Sequence, residues 1–464
     1  MLRTSPRGHL RFQPGCAKTF LLMLPGRTFE AGPAWRAPGP QIRLTRTCAP
    51  SILTRSHAPA TGPDRRMTVL LVEPFSQGGT AQYTYQLACA LSASRCRVIL
   101  LAPRDYELAH RFSNARPSLS FAPWFLPSTG LAQRASSRLV RRALLAFGLL
   151  ANAFRMISAC QALRPDVIHL HGGQIAADLA FVIAGRVAAR LTGGKLAYSV
   201  HSTPPHRPTT YQWALHHLAY SLPDALIAYT DDVRRHVAGT FGIRWGRIKV
   251  IPTPVFDPED LFDMDRCPTP EQARAQIGLP PEDKVILLFG QIRQNKGLLT
   301  LVEAFARVRD AMPRARLLIV GQPHSGLSQA VALADRLGVK SGITLVARYV
   351  AQEEVPHYFL SSDVVALPYL RITQSAVLAL ALGFRKPLVV SSVGGLPEMV
   401  NGCEFARTVP PNDPEALAAA ILQLLSAPPR TDRPWSGEIS PLSVARRTAA
   451  VYAELVSGRV CTYW

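Results

Sequence analysis

Acidic residues are scarce in this chain: 31 Asp and Glu stand against 52 Lys and Arg, for a formal net charge of +21. The imbalance favours anionic partners, meaning nucleotides, acidic lipid surfaces or nucleic acid. No helix-turn-helix, zinc-finger or RNP-like pattern accompanies it, which argues against nucleic acid. Cysteine pairing is also missing. The eight cysteines, at 16, 48, 89, 96, 160, 267, 403 and 461, include no CxxC and no His-rich partner cluster, so neither zinc nor a disulfide scaffold is indicated and a reduced, cytoplasmic compartment is expected. No apolar run reaches the ~18–20 uncharged residues of a spanning helix, which leaves a soluble or membrane-peripheral protein.

What is present is ample material for a core. Hydrophobic residues make up 48% of the 464 residues and charged ones 18%, which excludes a disordered or coiled-coil chain and allows two to four domains of ~100–200 residues. Residues 1–66 stand apart. They are Arg/Pro-rich, carry eleven Lys and Arg against only Glu30 and Asp64, and read as a disordered basic extension with the native start at Met67. An Arg-rich, acid-poor leader also suits an organellar transit peptide.

From Met67 the rhythm is strand, loop, helix. MTVLLVEPF is followed by the loop SQGGTAQ, a helical run to Ala93, then RVILLAP, with further strands at 166–170, 195–200, 225–229 and 248–251. Such alternation predicts a parallel sheet with crossover helices. A Pro-rich linker, 253–283, precedes a second series from 284 to 430, and residues 441–457 within the tail 431–464 have helical spacing and are expected to pack back on the first domain. Residues 134–155 read as a basic amphipathic helix, and Trp124-Phe125-Leu126 just before it as a candidate lipid-interface insertion; a packing helix with a solvated Arg face is the plainer alternative.

Chemistry concentrates in VILLFGQIRQNKGLLTLVEAF, 285–305. A parallel strand ending in a loop that opens a helix offers free backbone N–H groups and a positive dipole end, and Arg293 and Lys296 add charge suited to a diphosphate. An ordinary βα turn with solvated charges gives the same pattern. His171 ends the strand DVIHLH at the carboxyl edge where open α/β sheets bind ligands; His169, bracketed by Ile168 and Leu170, reads as buried. His201 lies at the next such edge. Gly78 and Gly79 permit close backbone approach or a tight turn, and Gly394 and Gly395 carry the same ambiguity. Glu398 suits a ribose or simply begins a helix.

Taken in order, GGTAQYTYQLACAL, DVIHLHGG, YSVHSTPPHRP, VIPTPVFDP, GQIRQNKG, LLIVGQ, DVVALPY, KPLVVSSVGGLPEMV and NDPEALAAAI resemble retaining glycosyltransferases of family 4 over roughly Met67 to Ser457. The resemblance implies an α/β, GT-B architecture: two Rossmann-like doubly wound domains facing across a cleft, the first (67–252) for acceptor and the second (284–430) for nucleotide-sugar. It implies transfer from a nucleotide-sugar to a saccharide or lipid-linked acceptor for a surface polysaccharide, with no metal or other cofactor despite Asp231-Asp232 and Asp263-Met264-Asp265. Lys296, Arg293 and His171 then fall at catalytic positions. Gly290, Gln291, Thr373, Gln374, Ser375, Gly394, Gly395 and Glu398 fall at the donor, and Gly78, Gly79, Thr80 and His201 at the acceptor or sugar.

Departures are specific. Gln291 stands where the family has an Arg, Thr253-Pro254 replaces the Asn-Gly of the interdomain crossing, and the family's paired glutamates fall on Ile372 and Leu380. The segment Thr373-Gln374-Ser375 resembles a subgroup in which neutral hydrogen-bonding groups take over at that helix start. A catalytically degenerate sugar-nucleotide-binding subunit and a sugar-nucleotide epimerase of the same fold are the alternatives.

Overall fold

The structure, a computed structural model, describes residues 66–94, 96–114, 117–127, 137–201, 205, 207–429 and 439–458. The basic extension lies outside them apart from Arg66, as does much of the tail. The first sheet has strands β1 (Met67–Val72), β2 (Cys96–Pro103), β3 (Leu119–Phe125), β4 (Val167–Gly172), β5 (Lys195–Val200), β6 (Ala225–Ala228) and β7 (Ile248–Val250). Their order is β3-β2-β1-β4-β5-β6-β7, all parallel. The second has β8 (Lys284–Phe289), β9 (Ala315–Val320), β10 (Ile343–Val346), β11 (Val364–Leu367), β12 (Leu388–Ser391) and β13 (Ala406–Val409), in the order β10-β9-β8-β11-β12-β13, again all parallel. Both are doubly wound, and each reverses strand order once, between β1 and β4 and between β8 and β11; ligands bind at such switch points.

Alternation along β1 explains the layers. Leu70 and Val72 face one apolar cluster together with Met156, Phe181 and Tyr220. Val69 and Leu71 face another that runs through Leu87, Phe256, Leu378 and Tyr452 into the second domain, so the two domains share one continuous core. The helix Pro441–Ser457, capped by Ser440 accepting from the Ser443 N–H, belongs to that shared cluster; Glu454 meets Lys249 of β7 at 2.8 Å.

Four sequence expectations need correction. Residues 119–125 form the edge strand β3, so Phe125 is fully buried, 5.5 Å from Phe181, and Trp124-Phe125 is no membrane insertion; Pro123 is tolerated because the strand is at an edge. The short strand β13 was unanticipated. The expected linker is folded: helix Pro270–Ile277 is locked to the second domain by Arg274, which donates to Asp363 at 2.7 Å and to the carbonyls of Ser361, Pro281 and Asp283. Finally, the helix Arg138–Leu163 is long and apolar enough to cross a bilayer by length and composition, which counting uninterrupted runs concealed because Arg155 divides it.

Candidate active site

The two switch points face each other. The loop after β1 brings Glu73 and Gly78, and the end of β4 brings His171, from the first domain; loops after β8 and β11 bring Gly290 to Lys296 and Pro368 to Ser375 from the second. The β8 loop is stitched to the β11 loop by Leu370 N–H to Asn295 O at 2.8 Å and by Asn295 Nδ2 to Arg371 O at 3.1 Å. Gly297 closes it with φ +69°, and a Cβ there would lie 1.8 Å from the Pro368 carbonyl, so glycine is required.

Between the loops is a cavity of about 340 Å³, within the ordinary range for small-molecule sites. Among the predicted residues it gathers Gly78, Gly79, Thr80, His201, Gly290, Gln291, Lys296, Gln374 and Ser375. Among the described residues no carboxylate lines it, and Lys296 is its only fully charged side chain. The ammonium sits 3.8 Å from the Tyr369 ring centroid, with no described carboxylate in ion-pair range. Five glutamines, Gln82, Gln291, Gln322, Gln352 and Gln374, are part of the polar lining. Leu380, at one lost glutamate position, presents an apolar wall.

A second cavity of about 440 Å³ adjoins it, lined by Thr373, Gln374, Gly395 and Glu398 with Tyr229, Asp231, Asn401 and Arg447. Its chemistry is opposite, since it carries carboxylates. Burial, with the nearby Asp231 and Asp232 charges, raises the Glu398 carboxyl above its usual range. Gln374 and Thr253 line both cavities. The Thr253 hydroxyl donates to the Gln374 side-chain oxygen, and Gln374 Nε2 donates to His201 Nδ1 at 3.2 Å. The pair forms a partition, and the unusual Thr253 is explained as its partner.

Three predicted residues line neither cavity, and Thr373, Gly395 and Glu398, expected at the donor, line the second cavity alone. Arg293 is exposed and lines neither cavity, because it precedes the 3-10 turn Gln294–Lys296 in extended conformation. Gly394 lines neither; with φ +53° and a Cβ position 1.8 Å from the Ile372 carbonyl, its role is to shape the turn. His171 is fully buried behind Tyr83 and His201, with His171 Nδ1 3.1 Å from His201 Nε2. It meets the cleft only through His201. His169 bonds the Tyr452 hydroxyl at 2.6 Å and Ser199 at 2.8 Å. Burial pushes His169 and His201 down to about 3 and His171 well below its usual value, so all three are neutral at physiological pH. With Gln374 donating to Nδ1, the His201 proton belongs on Nε2.

Sequence reasoning missed Glu73, Glu107 and the domain-spanning contacts. Glu107 accepts from the Gly78 N–H at 2.9 Å and from the Tyr349 hydroxyl at 2.8 Å, joining the domains; burial raises it to about 7. Gln82 Nε2 reaches Gln352 Oε1 at 2.6 Å. A Cβ on Gly79 would sit 2.7 Å from that of Ala376, so Gly79 serves close packing of helix Gly79–Ser92 against helix Ala376–Gly383, beyond any approach to ligand.

Glu73 is fully buried and raised to about 8, by burial first and then by the Asp178 and Glu107 charges. Its Oε2 accepts from the Thr84 hydroxyl at 2.8 Å and its Oε1 from the Phe75 N–H at 3.0 Å, contacts that favour the charged form but that burial outweighs. The folded state therefore holds a proton that the unfolded chain releases above about 4.5. Stability from this group is complete below that value and is lost as pH rises through about 8. Melting temperature should fall between pH 6 and 9, and Glu73→Gln should flatten that slope; an unchanged slope would refute the assignment.

Comparison with known proteins fits this geometry. Residues 77–257 match the family model for Glycosyltransferase Family 4 and residues 283–427 that for Glycosyl transferases group 1, one on each domain. The chain belongs to glycosyltransferase family 4. Curated relatives of this family 4 chain include the D-inositol 3-phosphate glycosyltransferase of Segniliparus rotundus, 34% identical over 45% of each chain. That of Frankia alni is 28% identical over 64% of this chain and 74% of its own. The matched region thus spans about half the length of several of these relatives. The sucrose-phosphate synthase of Thermosynechococcus elongatus superposes with a TM-score of 0.62 at 19% identity, over 85% of this chain and all of that one. Anabaena HepE in complex with UDP and glucose gives 0.55 at 18%, over 84% and 96%. These likenesses establish the GT-B fold.

Proposed function

We propose that the protein transfers a sugar, with retention, from a nucleotide-sugar in the first cavity to a hydroxyl of an acceptor in the second. The observation that carries this is the first cavity's charge: among the described residues one ammonium and no carboxylate, beside a helix start at Gly297. Such a site suits a diphosphate leaving group, whose growing charge Lys296 stabilises more in the transition state than before it. Retention follows if the departing phosphate oxygen takes the acceptor proton on the same face, a step that asks the protein for position and charge alone. Metal independence is part of the proposal, and a chelator should leave turnover unchanged.

The acceptor we propose is a neutral polyol, saccharide or lipid-linked saccharide. Asp231, Glu398 and Asn401 provide oxygens that accept from hydroxyls, and that lining suits hydroxyls better than the phosphate in the relatives' printed names. Surface polysaccharide assembly in the cytoplasm remains within this reading. With UDP as probe, as in the HepE complex, UDP should raise the melting temperature, and a UDP-sugar with a polyol or saccharide acceptor should give a product of unchanged anomeric configuration. Consumption of donor without acceptor would instead indicate an epimerase, and binding without turnover a degenerate subunit. Gln374→Ala should weaken UDP-sugar binding by roughly 0.5–1.5 kcal/mol while sparing free UDP, because the amide offers only neutral hydrogen bonds; equal losses for both would reject its placement at the sugar.

A further inference from the structure

We infer that the outer face of helices Arg138–Leu163 and Ile175–Thr192 docks the protein on anionic phospholipid bilayer. The inference extends the lipid-linked branch of the proposed function and stands on different residues. Large apolar side chains here face solvent: Phe147 is 67% exposed and Phe154 70%, and with Leu150 they form one i, i+3, i+7 stripe. The neighbouring helix repeats the pattern with exposed Ile183, Val187 and Leu191. An apolar face of this extent on a protein surface marks an interaction site.

Charge selects the occupant. Neither helix carries an acid apart from Asp178, which is fully buried and accepts from the Tyr198 hydroxyl at 2.9 Å. Arg138, Arg141, Arg142 and Arg190 are exposed, and no described carboxylate pairs with them. Exposed Phe and Leu beside unpaired arginine, without a competing negative charge, is the composition of an interfacial helix on acidic lipid. Spanning is opposed by anchorage: Ala153, Met156, Ala159 and Cys160 belong to the core behind the first sheet, and Asn152 accepts from the Leu126 N–H at 2.7 Å. Extracting the helix would open that core, so it lies along the surface.

The test uses the full chain without nucleotide, which separates it from the transferase reading. Parent protein should sediment with phosphatidylcholine vesicles containing phosphatidylglycerol and not with phosphatidylcholine alone. R138Q/R141Q/R142Q should weaken this roughly 100-fold, since each arginine at an anionic surface is worth about a fivefold factor. F147S/F154S removes no charge and should weaken it too, while both variants keep the parent's UDP-induced melting shift. The basic segment 1–66 also attracts acidic lipid, so photoactivatable phosphatidylglycerol should be cross-linked to the protein and mapped. Cross-links within 139–154 and 183–191 are expected. Cross-links confined to 1–66, equal pelleting of parent and F147S/F154S, or a dimer that this variant dissociates would each overturn the inference.

Discussion

Lys296→Ala is expected to lower turnover by a factor of roughly 100 to 1000, about 3–4 kcal/mol of transition-state stabilisation. The size follows from isolation. Among the described residues Lys296 is the one cation lining a cavity without carboxylates, so no second described lysine or arginine there takes its place, and the buried histidines are neutral. Arg293 is exposed and lines neither cavity, and Arg293→Ala should cost far less. Steady-state kinetics with UDP-sugar, paired with UDP binding, checks both: Lys296→Ala should lose turnover and affinity together. Retained turnover in Lys296→Ala, or an equal loss in Arg293→Ala, would show that the diphosphate lies elsewhere.

That contrast also marks where sequence stops being informative. Parallel strands were legible because runs such as Val69–Val72 and Val285–Leu288 are continuously apolar, as strands covered on both faces must be. The strands β3 and β13 were not, since Ser120, Pro123, Arg407 and Thr408 break the pattern at sheet edges. Within the candidate site, Lys296 and Gln374 could be picked out from motif position. That Arg293 lines neither cavity was not legible, because the direction of a loop side chain depends on a single turn. Glu73 escaped notice because an acid after an apolar strand reads as solvated, and only the packing of Thr84 and Asp178 around it reveals a buried, protonated group.

Gly79→Ala is expected to reduce kcat/KM by roughly 5- to 150-fold, the equivalent of about 1–3 kcal/mol of overpacking. Helix propensity alone favours alanine by up to ~1 kcal/mol, but the new methyl would stand 2.7 Å from the Ala376 Cβ, and the domains would have to part. Separation would lengthen the 2.8 Å Tyr349–Glu107 and 2.6 Å Gln82–Gln352 contacts and move Lys296 away from the first domain. Ala376→Gly on the same background should restore most of the loss. If it restores nothing, the defect lies in the loop itself; if Gly79→Ala is as active as the parent, the cleft does not work in this closed arrangement.

The chain passes between its domains at Pro252–Phe256 and approaches the first domain again at Ile439, and the two passages touch: the Val255 N–H donates to the Ile439 carbonyl at 2.9 Å. A body tethered at two adjoining points keeps little freedom to slide or twist and retains chiefly a bend about the paired tether. Each wall of the cleft therefore faces the other at a high effective concentration before any ligand arrives. Closing around a donor forfeits correspondingly little translational entropy, and a cut in either passage would loosen the grip on ligand without altering a single group that touches it.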